Sequence, residues 1–173
     1  MPTAAVLTIE ALNRTDRETF RQTLGGIFED SPWVAERAWG ARPFRSVEEL
    51  HAAMRAVVTR ASHGERVALL RAHPDLAGKA ARAGAMSAAS VAEQATAGLD
   101  RLTDDEFARF GRLNGAYRER FGFPFIIAVR RHDKTAILAA YERRLRNTAE
   151  QEIETALEQV FEITWMRLAA RVR

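Results

Sequence analysis

The chain has 173 residues, 47% of them hydrophobic and 28% charged, and contains no cysteine. It is long enough for one domain with a buried core, residues 1–173, and it cannot form disulfides, thiolate metal sites or a cysteine nucleophile. The net charge of +3 comes from acidic and basic residues that alternate along most segments, so no concentrated phosphate-binding face is expected and no nucleic acid partner.

The start, Met-Pro-Thr-Ala, lacks a charged region followed by an apolar one, and the end, Ala170-Arg171-Val172-Arg173, is not a peroxisomal signal. No apolar run approaches the ~20 residues that span a bilayer. A cytoplasmic location and no membrane association are expected.

Taken in order, the segments read as successive helices. Ser/Thr-x-x-Glu pairs mark starts at Thr15/Glu18, Ser46/Glu49, Ser90/Glu93 and Thr103/Glu106, with Asn147/Glu150 a close relative. In each, the first side chain can accept an amide hydrogen that the helix leaves unsatisfied. Gly25-Gly26 closes the second segment, and Pro74 closes the one carrying Val67, Leu69 and Leu70. The alanine-rich stretch 77–97 contains Gly78 and Gly84 and is expected to be a mobile loop. In the last segment Ile153, Leu157, Val160, Phe161, Thr164 and Leu168 form one apolar stripe at helical spacing.

The run Phe121-Gly122-Phe123-Pro124-Phe125-Ile126-Ile127-Ala128-Val129 departs from that pattern. It would pass for a buried strand, but no other segment offers a pairing partner. It is read as a buried connector, or a short helix after Pro124, whose free backbone groups could meet a ligand. The fold class that follows is all-α, with no sheet.

Four histidines could carry chemistry: His51, His63, His73 and His132. Neither His51 nor His63 has a partner at metal-ligand spacing, and His132 lies in a charged turn, so no metal site is expected. His73 ends an apolar helical segment and precedes Pro74, which pushes it out of helical geometry and displays the imidazole at a helix exit. Residues alone leave two readings open, a C-terminal cap or a proton-transferring group. Glu93, by spacing, reads as a capping residue. Arg130 and Arg144 could each grip a planar carboxylate or ureido group, or simply lie at the surface. Serine-nucleophile and phosphate-cradling motifs are missing.

Several segments together carry a resemblance. Phe28-Glu29-Asp30-Ser31-Pro32-Trp33-Val34, Arg42-Pro43-Phe44, Ala72-His73-Pro74-Asp75-Leu76-Ala77, Ser90-Val91-Ala92-Glu93-Gln94, Leu113-Asn114 with Tyr117, Phe121-Gly122-Phe123-Pro124-Phe125, and Arg144-Leu145 with Asn147 and Glu152 occur in one order from about residue 13 to 168. In this the chain resembles the 2-oxo-4-hydroxy-4-carboxy-5-ureidoimidazoline (OHCU) decarboxylase family.

The resemblance implies an all-α fold, commonly a homodimer, and cofactor-free decarboxylation of OHCU to (S)-allantoin and CO₂ in urate degradation. It implies a catalytic His73 and substrate contacts from Pro74, Ser90, Glu93, Gln94, the backbone of Phe125, Ile126, Ile127 and Ala128, and Arg130 and Arg144. It moves Glu93 from capping to the substrate pocket, although the spacing allows both. The weak patterning of residues 80–89 leaves Ser87 and Ser90 as alternatives for the family serine. Two rival readings are a ligand-binding module without chemistry and a basic helical nucleic-acid binder.

Overall fold

The computed structural model describes residues 6–78 and 84–173. Among them no strand forms; β pairing is confined to one bridge between Leu7 and Val172. No helix is long and apolar enough to cross a membrane. The chain divides into two compact units, one of residues 1–69 with 161–173 and one of residues 70–160.

The first unit contains α1 (Ile9–Asn13), α2 (Arg17–Leu24), α3 (Trp33–Ala38) running into a 3₁₀ turn (Trp39–Ala41), α4 (Val47–Arg60), most of α5 (His63–Arg71) and the end of α9 (Ala149–Ala169). Helix α3 packs against α2 and α4 around the enclosed side chains of Leu12, Phe20, Leu24, Val34, Leu50, Met54, Val58 and Leu168. The Arg42-Pro43-Phe44 motif has a structural role here. The Asn13 amide donates to the Phe44 carbonyl and accepts from its N–H, both at 2.8 Å. Arg42 stacks over Trp39 at 3.9 Å and donates to the carbonyls of Asn13 and Thr15. Glu29, from the neighbouring motif, forms a buried ion pair with Arg167 at 2.9 Å.

The second unit contains α6 (Ala88–Thr96), α7 (Asp104–Phe121), a 3₁₀ turn (Val129–Arg131), α8 (Lys134–Arg144) and the start of α9. Its core is aromatic: Phe110, Tyr117, Phe123, Phe125 and Tyr141 are fully buried and meet in edge-on and stacked pairs.

Three expected helix starts shift. Asp16, not Thr15, caps α2, because its carboxylate accepts from the Thr19 amide at 2.7 Å and a negative charge suits a helix N-terminus. Ser87, not Ser90, caps α6 by accepting from the Ser90 amide at 3.2 Å. Before α9 the reciprocal pair is Thr148 with Gln151, since the Asn147 side chain turns inward to donate to Glu152 at 2.8 Å. Ser46 caps α4, and Thr103/Glu106 forms the full reciprocal box expected of it.

Two further differences concern the core. Residues 124–128 adopt no regular secondary structure, and the helical turn begins only at Val129; there is no helix directly after Pro124. In α9 it is Glu152 that is fully buried while Ile153 is half-buried, because three donors converge on the Glu152 carboxylate. The expected mobile stretch falls partly on residues 79–83, outside the described ones; residues 88–96 of it are helical.

Candidate active site

All the expected site residues lie in the second unit, on four segments: the loop after α5, helix α6, the connector after α7 with its 3₁₀ turn, and the end of α8, which carries Arg144. Helix α5 ends at Arg71, and the His73 amide still reaches back to the Leu70 carbonyl at 3.2 Å. Pro74 has no amide hydrogen and stops the helix there. His73 is only 6% exposed and its Nε2 is enclosed, so the expected display of an imidazole at a helix exit is a display into the protein.

The loop from His73 to Ala77 is held by side chains. Gln94 accepts from the Ala77 amide at 3.0 Å and donates to the Asp75 carbonyl at 3.2 Å. Asn114 donates to the Leu76 carbonyl at 2.8 Å, and Arg118 donates to the Asp75 carboxylate at 3.0 Å. Ala77 sits at φ +50°, in the left-handed region that alanine seldom occupies. The surroundings over-determine that conformation, as is common near functional sites.

On α6 the cap at Ser87 places Ser90 in the first turn and Glu93 and Gln94 farther along, all three buried. Glu93 therefore takes no part in capping. Helix α6 packs against the 3₁₀ turn Val129–Arg131; Arg130 is exposed on that turn.

The connector is buried from Phe123 to Val129, and parts of its backbone are claimed by side chains. Arg144 donates to the Ile126 carbonyl at 2.6 Å, and the Ala128 amide donates to Gln159 at 3.0 Å. The amide and carbonyl of Ile127 make no hydrogen bond among the described residues. Arg144 is buried too: its Nε donates to Glu152 at 2.6 Å and its guanidinium lies 4.3 Å from the Phe125 ring centre. Glu152 accepts in addition from the Tyr117 hydroxyl at 2.6 Å. Burial, and then this bond to a carboxylate, push the Tyr117 hydroxyl well above the usual phenol range, so it remains a donor.

The structure thus ties Gln94 to the His73 loop and Arg144 to the connector, and sets α6 against the turn bearing Arg130. No local motif in the sequence marks Tyr141 or Gln159, and Asn114 and Glu152 stand out only within their motifs. The available signal was the three-residue spacing of Tyr141 and Arg144, which puts both on one face of α8. A cavity of about 190 Å³ borders the site at Ala77 and Gln94 and is lined further by Met86, Val91, Leu99 and Phe107 among others; His73, Glu93 and the connector are not part of its lining. No group of three potential metal ligands forms among the described residues.

The described residues thus form an all-helical fold in which a buried histidine loop, a helix bearing the buried Glu93 and an irregular apolar connector share one unit, and comparison with known proteins identifies the family. The sequence model of the OHCU decarboxylase family matches residues 13–169, and the chain belongs to that family. A 2-oxo-4-hydroxy-4-carboxy-5-ureidoimidazoline decarboxylase of Haloferax volcanii is 48% identical over 165 residues, 95% of this chain and 96% of the relative. A uric acid degradation bifunctional protein of Bacillus subtilis is 41% identical over 164 residues, which cover 95% of this chain and 32% of that protein. A crystal structure of (S)-allantoin synthase superposes with a TM-score of 0.76 at 38% identity, covering 96% of this chain and 54% of that one.

Proposed function

We propose that this protein decarboxylates OHCU to (S)-allantoin and CO₂ in urate degradation, with His73 as the group that moves the proton. The observation that carries the reading is the enclosed His73, whose loop is fixed on both sides by Gln94 and Asn114, in a chain that is 48% identical to a decarboxylase of that name.

The substrate carries a carboxylate and a hydroxyl on one ring carbon, next to a carbon doubly bonded to nitrogen. When the bond to CO₂ breaks, its electron pair forms a carbon–carbon double bond, and the C=N pair moves to nitrogen, which takes a proton. The hydroxyl then loses its proton to become the carbonyl, and the neighbouring carbon gains one. The ring is its own electron sink, so the reaction asks of the protein orientation, charge stabilisation and proton placement.

His73 beside the hydroxyl and carboxylate suits that proton transfer, since imidazole ordinarily titrates near neutrality. Pro74 holds it outside the helix. Glu93, with Ser90 beside it on α6, would take ureido and ring N–H groups. The Ile127 backbone, between Phe125–Ile126 and Ala128, would meet substrate oxygen and N–H groups, and Arg130 would reach a carbonyl or carboxylate from the turn. Gln94 and Arg144 act through the segments they hold. Protonation from one side gives one enantiomer, whereas spontaneous decay gives the racemate. A homodimer and a cytoplasmic location belong to the same reading; sedimentation would test the first.

The test is to generate OHCU in situ from urate with a urate oxidase and the following hydrolase, add this protein, and follow optical activity. Acceleration with an excess of (S)-allantoin supports the reading. A rate and optical outcome equal to the spontaneous reaction would sink it.

A further inference from the structure

We propose that Tyr141, acting through Asn114, is a positioning residue that fixes the spacing between the His73 loop and the Phe125–Ile127 stretch of the connector. The inference rests on the function proposed above. Tyr141 is fully buried on α8 and its ring stacks on Phe125, with centres 3.7 Å apart and planes 16° from parallel. Its hydroxyl donates to the Asn114 side-chain oxygen. The Asn114 amide nitrogen in turn donates to the Leu76 carbonyl at 2.8 Å, three residues after His73.

The direction of each bond is determined. The Leu76 carbonyl can only accept, so it takes the nitrogen end of Asn114; the oxygen end faces Tyr141, whose hydroxyl must donate. Burial raises the Tyr141 hydroxyl well above the ordinary phenol range, with Asp75 adding to the effect, so the donor is kept throughout the working pH range. One side chain therefore touches both segments, the connector by its ring face and the histidine loop through one amide. Phe110 meets the same ring edge-on, 6.1 Å between centres, and limits its sideways movement. Small displacements of reacting groups cost large factors in rate, which gives this bridge leverage over the chemistry without contact with the substrate.

Tyr141→Phe keeps the stack and removes the hydroxyl. Thr164→Val serves as a control for destabilisation, because it removes a buried hydroxyl bonded to His51 at 3.0 Å in the other unit. The paired change Tyr141→Phe with Asn114→Leu removes both ends of the hydroxyl–amide bond, leaving only the Leu76 carbonyl without its donor, and is the variant to use should Tyr141→Phe alone not fold. Each is assayed well below its melting midpoint, with enzyme scaled so that catalysed flux outruns spontaneous decay. The expected result for Tyr141→Phe, or for the pair, is a fall in kcat of roughly 10- to 100-fold with a smaller change in KM and a reduced (S) excess. Thr164→Val should keep both. Wild-type kcat and optical excess in a folded Tyr141→Phe or paired variant overturn the proposal. An inactive wild-type protein instead defeats the functional reading beneath it.

Discussion

The side-chain oxygen of Gln94 accepts the amide hydrogen of Ala77 at 3.0 Å, so a residue on α6 holds open a left-handed turn four positions after His73. The side-chain nitrogen of Gln94 donates to the Asp75 carbonyl. Gln94→Glu keeps the acceptor but turns a carboxylate oxygen toward that carbonyl. The expected outcome is a loss of about 1–3 kcal/mol of stability with a loss of turnover, read by thermal melting and the coupled urate assay.

Glu93 and Ser87 separate cleanly. Because Ser87 caps α6 and Glu93 does not, Ser87→Ala should cost about 1 kcal/mol and leave kcat unchanged. Glu93→Gln should abolish most turnover while the melting midpoint stays within a degree or two. Melting curves and initial rates on the two variants check this; the reverse pattern would return Glu93 to a structural role.

Glu152 is fully enclosed and takes hydrogen bonds from Tyr117, Arg144 and Asn147. Removing one partner of such a pair leaves a buried charge without compensation, at about 3–5 kcal/mol. Glu152→Ala is expected to unfold at correspondingly lower denaturant. Arg144→Lys is expected to be costly as well, since one ammonium cannot reproduce the fork that spans Glu152 and the Ile126 carbonyl. Equilibrium urea unfolding measures both.

His51 is buried against Thr164 and Trp165, and burial, with Arg55 adding to it, lowers its pKa to about 4. The unfolded chain binds that proton near pH 6.5. The stability contributed by the neutral imidazole is therefore complete above about pH 6.5 and is lost as pH falls toward 4. Discounted for the solvent that still reaches the group, the loss is about 1–2 kcal/mol. His51→Gln should flatten this part of the curve of stability against pH, measured by urea unfolding at several pH values.

Much of this was legible in the chain. The helical class, the stop at Pro74 and the break in the helical pattern after Phe121 follow from local patterning, since Pro and Gly act locally and the apolar stripes repeat at helical spacing. The choice between an irregular connector and a short helix after Pro124 does not follow from it. Capping was legible only to within a few residues. Thr15 and Asp16, Ser87 and Ser90, and Asn147 and Thr148 all carry suitable oxygens, and tertiary demands choose between neighbours: Asn147 is drawn away by Glu152. The support of the site was the least visible part. Tyr141 and Gln159 read as ordinary helix residues, and their partners Asn114 and Ala128 lie 27 and 31 positions away, a pairing that exists only once the chain is folded.

The most direct measurement is the optical outcome of OHCU turnover by His73→Asn, assayed beside the wild-type protein with melting curves on both. A folded variant that leaves the reaction at its spontaneous rate, giving racemic allantoin, is the predicted result. A folded variant that still accelerates the reaction and still produces an (S) excess would contradict the assignment of proton transfer to His73.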